Sequence, residues 1–210
     1  DHAPLVTITG QASLNRRHKE SHQYIDAIAM FKPVTKWNAS IPRADVIPEA
    51  VRKAFKIAQT EKPGPAHLEL PEDVAEQSIA DEAALRPLAV QAPVMPEPSP
   101  SQVQRAVRAI SSAKRPVILA GNGVIRRNAS EVVRSFARAF QIPVLQTFMA
   151  KGVMPDSDPL SLHTLGLAAR DYAAVVMEQA DVVLAIGYDF VEYAPCFWNP
   201  RRDKHIVHVD

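Results

Sequence analysis

The stretch that decides the fold reads RPVILAGNGVIRRNASEVVRSFARAFQIPVLQTFMAKGVMPDSDPL at residues 115–160 and resumes as ADVVLAIGYDF at residues 180–190. Three apolar runs, PVILAG, IPVLQT and DVVLAIG, alternate with amphipathic segments. Buried strands that alternate with covering helices are typical of a parallel sheet in an α/β domain. Ligands of such sheets bind beyond the carboxyl ends of the strands. The candidates for a binding crevice are therefore the residues at the ends of these runs, Gly121, Asn122, Gly123, Thr147 and Gly187.

The composition of the 210 residues excludes several classes of protein. Lysine and arginine (24) almost balance aspartate and glutamate (23), so no overall charge attracts nucleic acid or a membrane. No apolar run approaches the roughly 20 residues of a membrane span, and the first ten residues lack a signal-peptide pattern. Cys196 is the only cysteine, which excludes an internal disulfide and a cysteine-based zinc site. A reducing compartment fits this cysteine content, and we expect a cytoplasmic protein.

Strand-like runs lie at both ends of the chain. PLVTITG occupies residues 4–10, and HIVHVD occupies residues 205–210. Parallel strands need crossover connections and neighbours, so this pattern predicts an internal piece of a longer polypeptide. A compact domain with edge strands at its termini is the alternative.

A proline-rich segment, RPLAVQAPVMPEPSP at residues 86–100, predicts a linker, because repeated prolines prevent a helix and favour extended chain. We therefore expect one domain over residues 1–85, a linker over 86–98 and a second domain over 99–210. The second domain is predicted to begin with a helix in which Ser99 is the N-cap, Pro100 the first residue and Gln102 the reciprocal capping partner.

Periodicity predicts a doubly wound α/β pattern in both domains. In the first domain we expect strands at residues 5–9, 34–37 and 66–70 and helices at 21–30 and 47–58. The second of these helices would be capped by Asp45 and would bury Ile47, Val51, Ala54, Phe55 and Ala58. In the second domain we expect strands at 117–120, 144–146, 182–186 and 205–210, a long loop after 146, and a helix at 167–179. A further helix would be capped by Asn128 with Glu131 and would bury Val132, Val133, Phe136, Ala137 and Phe140.

The loop after the first strand carries the first candidate chemistry. It begins at Gly10 and Gln11 and ends RRHKESHQ, with His18, His22 and Gln23. Two histidines, a glutamine and a carboxylate near a strand end could handle protons or bind a small substrate. The alternative is a solvated polar loop. Neither metal-ligand spacing nor a nucleophile elbow is found.

The second candidate is Gly121-Asn122-Gly123, which follows one strand and precedes a helix. Glycines there would let a phosphate or a ring approach the backbone, and a helix start favours anions. The third glycine of the dinucleotide fingerprint is missing, so a tight strand-to-helix turn is an equal alternative. Asp189 and Asp210 follow strands and could accept a ribose hydroxyl, or could be a helix cap or a loop charge.

These motifs together resemble the middle of thiamine-diphosphate-dependent enzymes of the acetolactate synthase type. PLVTITGQ, FKPVTKWN and KAFKIAQTEKPGPAHLELPEDV resemble the last half of the pyrimidine-binding domain. RPVILAGNGV, IPVLQTFMAKGVMPDSDPLSLHTLG, ADVVLAIGYDF and HIVHVD resemble a central domain of the six-stranded type. The resemblance implies a homo-oligomer, a dimer or tetramer, that binds thiamine diphosphate and Mg²⁺ between subunits and acts on a 2-oxo acid or its thioester. The family's activating glutamate and metal motif have no counterpart here, so this stretch alone is expected to be inactive and to supply no metal ligand.

Three positions carry over as candidate catalytic residues. Gly10 and Gln11 match the family's Gly-Gln, which lines the approach to the active site. His22 and Gln23 match a Phe-Gln pair on the substrate side of the cofactor, with histidine in place of phenylalanine. The resemblance therefore assigns Gln11, His22 and Gln23 to catalysis, in a decarboxylation followed by carboligation or protonation. The histidine leaves the pyruvate-to-acetolactate specificity open.

Acetolactate synthases hold FAD in the central domain, and Gly121 to Gly123 and Gly166 match that pattern. With the residues at the strand ends, the candidate cofactor contacts are Gly10 for the thiamine side, and Gly121, Asn122, Gly123, Thr147, Gly166, Asp189, Phe190 and Asp210 for a nucleotide. Two departures argue against FAD. The family's Gly-Met-His-Gly is Gly166-Leu-Ala-Ala here, and its Arg-Phe-Asp-Asp-Arg is Asp189-Phe-Val-Glu-Tyr, so both arginines are lost. The alternative function is a non-catalytic module for FAD, ADP or NAD, like those of sirtuins and electron-transfer flavoproteins, although KPGPAHLELPEDV has no place in such a module.

Overall fold

The computed structural model of the protein describes residues 2–81, 85–92, 94–166 and 172–210. The chain divides into two compact units, Asp1–Pro96 and Glu97–Asp210. Each unit contains a parallel sheet, of three strands in the first and five in the second. The predicted α/β class with parallel sheets is therefore confirmed.

The sheet of the first unit has three strands in the order β1-β3-β2. They are β1 (Leu5–Gln11), β2 (Trp37–Ser40) and β3 (Pro65–Pro71). All pairs are parallel, and Glu69 of β3 lies opposite Thr9 of β1 and Ser40 of β2. The carboxyl ends of the three strands therefore meet at one edge of the sheet.

The helices of the first unit are α1 (Ala27–Phe31), α2 (Ile47–Gln59) and α3 (Glu72–Ala75). The apolar core joins α2 to one face of β3 through Ala54, Ala58, Ala66 and Leu68. Small residues on α2 allow the helix to pack closely against the sheet. The other face of the sheet is polar, and it carries the first candidate site.

Two predicted elements of the first unit are wrong in extent. The predicted helix at 21–30 is reduced to α1, because Gln23 adopts a left-handed backbone (φ 61°) and Asp26 caps the helix by accepting from the Ala29 N–H at 2.9 Å. The predicted strand at 34–37 is a short 3-10 turn, Lys32–Val34, followed by β2. Pro33 has no N–H for a ladder, so pairing begins beyond it.

The predicted cap and face of α2 also need correction. Asp45 does not cap the helix, because its carboxylate accepts two hydrogen bonds from the Arg43 guanidinium, both at 3.0 Å. Phe55 is 43% exposed rather than buried. Phe55 lines a cavity of about 300 Å³ together with Val51 and with Leu88 of the proline-rich segment.

The sheet of the second unit has five strands, all parallel, in the order β6-β5-β4-β7-β8. They are β4 (Pro116–Ala120), β5 (Val144–Thr147), β6 (Ser161–Leu165), β7 (Val182–Ile186) and β8 (His205–Val209). β6 was missed from the sequence and replaces part of the predicted long loop. Its short, half-exposed SLHTL lacks the apolar run by which the other strands are recognised.

Helices cover both faces of this sheet, as expected for a doubly wound unit. They are α4 (Pro100–Ser112), α5 (Asn122–Arg126), α6 (Ser130–Phe140), α7 (Tyr172–Gln179) and α8 (Pro195–Trp198). Alternate residues of β4 enter separate cores, with Val117 and Leu119 on the α7 side and Ile118 and Ala120 on the α6 side. The predicted capping box of Ser99 and Gln102 is confirmed at the start of α4.

The predicted start and face of α6 are partly wrong. The helix begins after Ala129, and Asn128 makes no cap because its backbone is left-handed (φ 51°). Val133 and Ala137 are buried as predicted, but Val132 and Phe140 are 71% and 63% exposed. The first part of the predicted helix at 167–179, residues 167–171, lies outside the described residues.

Within the described parts of the chain, no helix combines the length and the apolar character that crossing a lipid bilayer requires.

Candidate functional site

The first candidate site lies at the carboxyl ends of β1, β2 and β3. Side chains alternate along a strand, so His67 and Glu69 of β3 share the face that lies opposite the α2 core. Gln11 of β1 reaches this face and contacts Glu69. A polar sheet face in the middle of a compact unit needs internal partners for each buried group.

Glu69 is the centre of the polar network, and it is only 3% exposed. Its Oε2 accepts from Gln11 Nε2 at 3.0 Å, and its Oε1 accepts from Arg17 Nη2 at 2.7 Å. Arg17 also donates to Ser40 Oγ on β2. A buried carboxylate is stable only when a cation and hydrogen bonds compensate its lost hydration, and both are present here.

Gln11 is engaged on both sides of its amide. Besides Glu69, its Nε2 donates to the Ile25 carbonyl at 2.5 Å, and its Oε1 accepts from the Ala12 N–H at 2.9 Å. The Gln11 amide therefore binds the backbone of Ala12 and Ile25, and both of its N–H donors are used within the protein.

His22 and Gln23 lie in the loop between Arg17 and Ile25, and both are exposed. Their side chains make no hydrogen bond or ion pair with the residues that the structure describes. The left-handed backbone at Gln23 turns the chain at the pair. Both side chains are thus available to a ligand at this edge of the sheet.

Gly10 is exposed, and a Cβ added there would meet no atom within 4 Å. Packing in this unit therefore does not require glycine at position 10. Open space beside the strand backbone is what a ligand that approaches closely would need.

His67 was not singled out from the sequence. It is fully buried, stacks on Phe31 with a ring separation of 3.9 Å, and has Nε2 2.9 Å from Thr9 Oγ1. Burial lowers the pKa of His67, and the Glu69 carboxylate opposes that shift. The alternation in AHLEL, with polar residues two apart in a buried strand, is the signal that could have identified it.

The second candidate site lies at the carboxyl ends of β4, β5 and β7, in the second unit. Gly121 and Gly123 are both in contact with protein backbone rather than open space. A Cβ on Gly121 would clash with Gly187 and with the Tyr188 backbone, and a Cβ on Gly123 would lie 2.6 Å from the Gly187 Cα. These glycines therefore permit two chain segments to pack closely.

Glu192 occupies the crevice between these strands. It is 6% exposed; its carboxylate accepts from the Asn122 N–H at 3.0 and 3.2 Å and from the Thr147 hydroxyl. The Asp189 N–H lies 3.4 Å from the same carboxylate. The backbone donor at the start of α5, predicted to attract an anion, is thus bound to an anion of the protein itself.

Tyr193 fills the space next to Gly166. Gly166 has a left-handed backbone (φ 99°), and a Cβ there would lie 2.7 Å from the Tyr193 ring. The Tyr188 hydroxyl donates to the Tyr193 carbonyl and accepts from Trp198 Nε1 at 3.1 Å, which holds this segment in place. Burial raises the pKa of Tyr188, so its hydroxyl stays protonated.

The remaining predicted contacts are spread over this edge. Asp189 is buried and its Oδ1 accepts from the Val191 N–H at 3.2 Å, whereas Phe190 and Asp210 are exposed. The predicted residues Gly121, Asn122, Gly123 and Thr147 do lie together. Glu192 and Tyr193, which occupy the space between them, were seen in the sequence only as departures from the family pattern.

The arrangement does not fit a flavin or nucleotide diphosphate as it stands. The Asn122 donor is taken, the glycine faces are covered, and the buried Glu192 carboxylate would repel phosphate. Among the described residues, no cluster of three or more histidine, cysteine, aspartate or glutamate side chains could hold a metal ion.

A family model described as the central domain of thiamine pyrophosphate enzymes matches residues 103–210, which include the whole five-stranded sheet. The chain belongs to the thiamine pyrophosphate enzymes. This is the family that the sequence motifs predicted.

Similarity to individual members of the family extends over the first unit as well. The chain is 36% identical to a probable acetolactate synthase large subunit of Methanocaldococcus jannaschii, over 100% of this chain and 36% of that protein. It is 35% identical to an acetolactate synthase of Bacillus subtilis, over 99% of this chain and 36% of that protein. It is 34% identical to a glyoxylate carboligase of Escherichia coli O157:H7, over 100% of this chain and 35% of that protein. The chain thus spans about a third of the length of the curated relatives it matches.

Proposed function

We propose that the protein to which this chain belongs is a thiamine-diphosphate- and Mg²⁺-dependent enzyme that decarboxylates a 2-oxo acid and joins the product to a second carbonyl compound. The observation that carries the proposal is the similarity to acetolactate synthases along the full chain, at 35–36% identity. In this proposal residues 1–85 are the last half of a pyrimidine-binding domain, 86–98 a linker and 99–210 the central domain.

The first candidate site supplies one wall of the active site. Gly10 leaves the strand backbone open to the cofactor, and His22 and Gln23 present free polar side chains toward the substrate. Thiamine diphosphate, when bound, supplies the carbanion chemistry. His22 can hold or donate a proton to an oxygen of the substrate, and Gln23 can orient a carbonyl or carboxylate.

The metal and diphosphate ligands come from a part of the enzyme other than the described residues, since these contain no suitable cluster. The central domain holds no flavin in this proposal. Support comes from Glu192, which occupies the donor group, and from Tyr193, which covers Gly166.

The enzyme is proposed to be a cytoplasmic homo-oligomer, a dimer or tetramer. Support comes from the similarity to a probable acetolactate synthase large subunit, since a subunit is part of an assembly.

The test is a carboligation assay on the full-length enzyme, which contains the parts of the active site beyond this chain. We expect CO₂ release from a 2-oxo acid that requires both thiamine diphosphate and Mg²⁺, and pyruvate, with acetolactate as its product, is the first substrate to test. Glyoxylate is the second substrate to test, because one relative is a glyoxylate carboligase. Absence of cofactor-dependent CO₂ release from either acid, and from a panel of longer 2-oxo acids, would overturn the proposal.

A further inference from the structure

We propose that Glu69 is a positioning residue that holds both ends of the loop from residue 17 to residue 25, here called the 17–25 loop. This inference rests on the proposed function, in which His22 and Gln23 of that loop face the substrate. Glu69 itself is buried in the sheet and contacts neither side chain of the pair.

The two ends of the loop meet at one carboxylate. At the start, Arg17 Nη2 donates to Glu69 Oε1 at 2.7 Å and also to Ser40 Oγ. At the end, Gln11 Nε2 donates both to Glu69 Oε2 at 3.0 Å and to the Ile25 carbonyl at 2.5 Å. Glu69 on β3, Gln11 on β1 and the bond from Arg17 to Ser40 on β2 together connect the loop to all three strands of the sheet.

Between these ends the loop is held only by local bonds. Its backbone hydrogen bonds are all short-range. The Ser21 N–H donates to the Lys19 carbonyl at 2.7 Å, the Tyr24 N–H to the Ser21 carbonyl at 3.3 Å, and the Lys19 N–H to the carbonyl of Arg16, just before the loop, at 3.1 Å. Within the described part of the chain, the side chains of residues 18–23 form no hydrogen bond or ion pair with the sheet. The position of His22 and Gln23 relative to the strand ends consequently depends on the two anchors.

The carboxylate chemistry of Glu69 is needed for both anchors at once. Each of its oxygens accepts from an N–H donor, Gln11 on one side and Arg17 on the other. A glutamine at position 69 has one oxygen, which accepts a hydrogen bond, and one NH₂ group, which can only donate. In either orientation of its amide, one of the two N–H donors, on Gln11 or on Arg17, therefore faces the NH₂ group and loses its hydrogen bond. Glu69→Gln therefore releases one end of the loop at nearly constant side-chain volume.

The first test measures loop release and does not depend on catalysis. Trypsin can cut after Lys19, inside the loop, and mass spectrometry reports the cut. In the full-length protein we expect Glu69→Gln to speed cleavage at Lys19 about tenfold or more, because cleavage tracks the open population of a segment. The control is Asp158→Asn, which removes a partly buried carboxylate paired with Arg138 at 2.9 Å in the other unit. Equal cleavage rates at Lys19 in the wild type and Glu69→Gln would overturn the proposal.

The second test asks whether Glu69 acts through the His22–Gln23 pair. We expect Glu69→Gln to lower kcat by about 10–100-fold, as a displaced catalytic group does, with the Kd for thiamine diphosphate changed less than about twofold. In a background of His22→Ala and Gln23→Ala, Glu69→Gln should have little further effect, because the groups that it positions are gone. An undiminished fall in kcat in that background would assign Glu69 a different role.

These outcomes separate the inference from the proposed function. A wild-type enzyme without cofactor-dependent turnover contradicts the proposed function, while the trypsin assay still decides whether Glu69 holds the loop. Faster cleavage with full kcat retained would show that the loop is clamped but that its position does not matter for catalysis, which overturns the positioning role.

Discussion

Replacement of Glu192 by alanine should destabilise the central domain, since it removes the acceptor from the middle of the crevice. The Thr147 hydroxyl, which is buried, and the Asn122 N–H, which is partly buried, lose their partner. The longer bond from the Asp189 N–H, at 3.4 Å, is lost as well. An unsatisfied buried donor costs about 1–3 kcal/mol, so the pair should cost about 2–6 kcal/mol. The alanine variant no longer has to bury a carboxylate, which offsets part of this cost. We therefore expect the free energy of unfolding to fall by about 2–4 kcal/mol.

The assay is thermal unfolding of the full chain followed by circular dichroism, at low ligand concentration. For a chain of this size, the expected loss corresponds to a fall in Tm of roughly 4–16 °C, at about 2–4 °C per kcal/mol. Glu192→Gln retains one acceptor oxygen and should lie between the alanine variant and the wild type. Glu131→Ala is the control, because that carboxylate is exposed and, within the described ranges, its one ion-pair partner is Arg134, at 3.4 Å.

The reasoning is refuted by a Glu192→Ala variant that melts within 1–2 °C of the Glu131→Ala control, a change of roughly 1 kcal/mol or less by the same scaling. Such a result would mean that the two donors find water as easily as they find the carboxylate. The crevice would then be open to solvent, and the argument against a bound nucleotide would lose its basis.

Three further predictions follow from the two sites. Gly10→Ala should lower kcat of the full-length enzyme without lowering Tm, since the added Cβ meets no protein atom. Gly121→Ala should instead unfold the central domain or lower its Tm by more than about 5 °C, measured by the same thermal unfolding experiment. His22→Ala with Gln23→Ala should cut turnover more than it weakens thiamine diphosphate binding, measured by steady-state kinetics and cofactor titration. The free energy of unfolding, measured with urea, should fall as the pH drops below about 6.5. Burial lowers the pKa of His67 in the folded chain, so below this pH His67 takes up a proton in the unfolded chain but stays neutral in the folded one.

Each of these has an outcome that contradicts it. A low Tm for Gly10→Ala would assign that glycine to packing, and unchanged turnover without the His22–Gln23 pair would remove the pair from the active site. For the pH effect, the control is His67→Phe, which keeps a ring against Phe31 and cannot titrate. An equal loss of stability in this variant between pH 7.5 and pH 5.5 would assign the effect to another group.

Much of the fold was predictable because the buried strands of a parallel sheet appear in the sequence as apolar runs. The runs at residues 117–120, 144–146 and 182–186 lie inside β4, β5 and β7, and all three are almost fully buried. β6 was missed because SLHTL is half-exposed and shows no such run. The predicted buried face of α6 was too wide. Val132 and Phe140 have the helical spacing of buried residues but lie outside the buried face.

The polar network of the first site could not have been derived from the sequence. Arg17, Ser40 and Glu69 are separated by more than twenty residues from one another, and only the register of the three strands brings them together. Their residue types are also those of ordinary surface positions. Tertiary pairing, rather than any local pattern, makes Glu69 a buried carboxylate.

Glycines mark the difference between the two candidate sites. Gly10 and Gly121 occupy the same kind of position, the end of a parallel strand, and the sequence assigned both to ligand approach. What a Cβ would meet distinguishes them: open space at Gly10, and the backbone of Gly187 and Tyr188 at Gly121. A glycine with open space beside it is free to serve a ligand, while a glycine against backbone is already required by the fold. The same comparison explains why the crevice in the second unit is closed by the chain itself, with Glu192 bound where an external anion would have to bind.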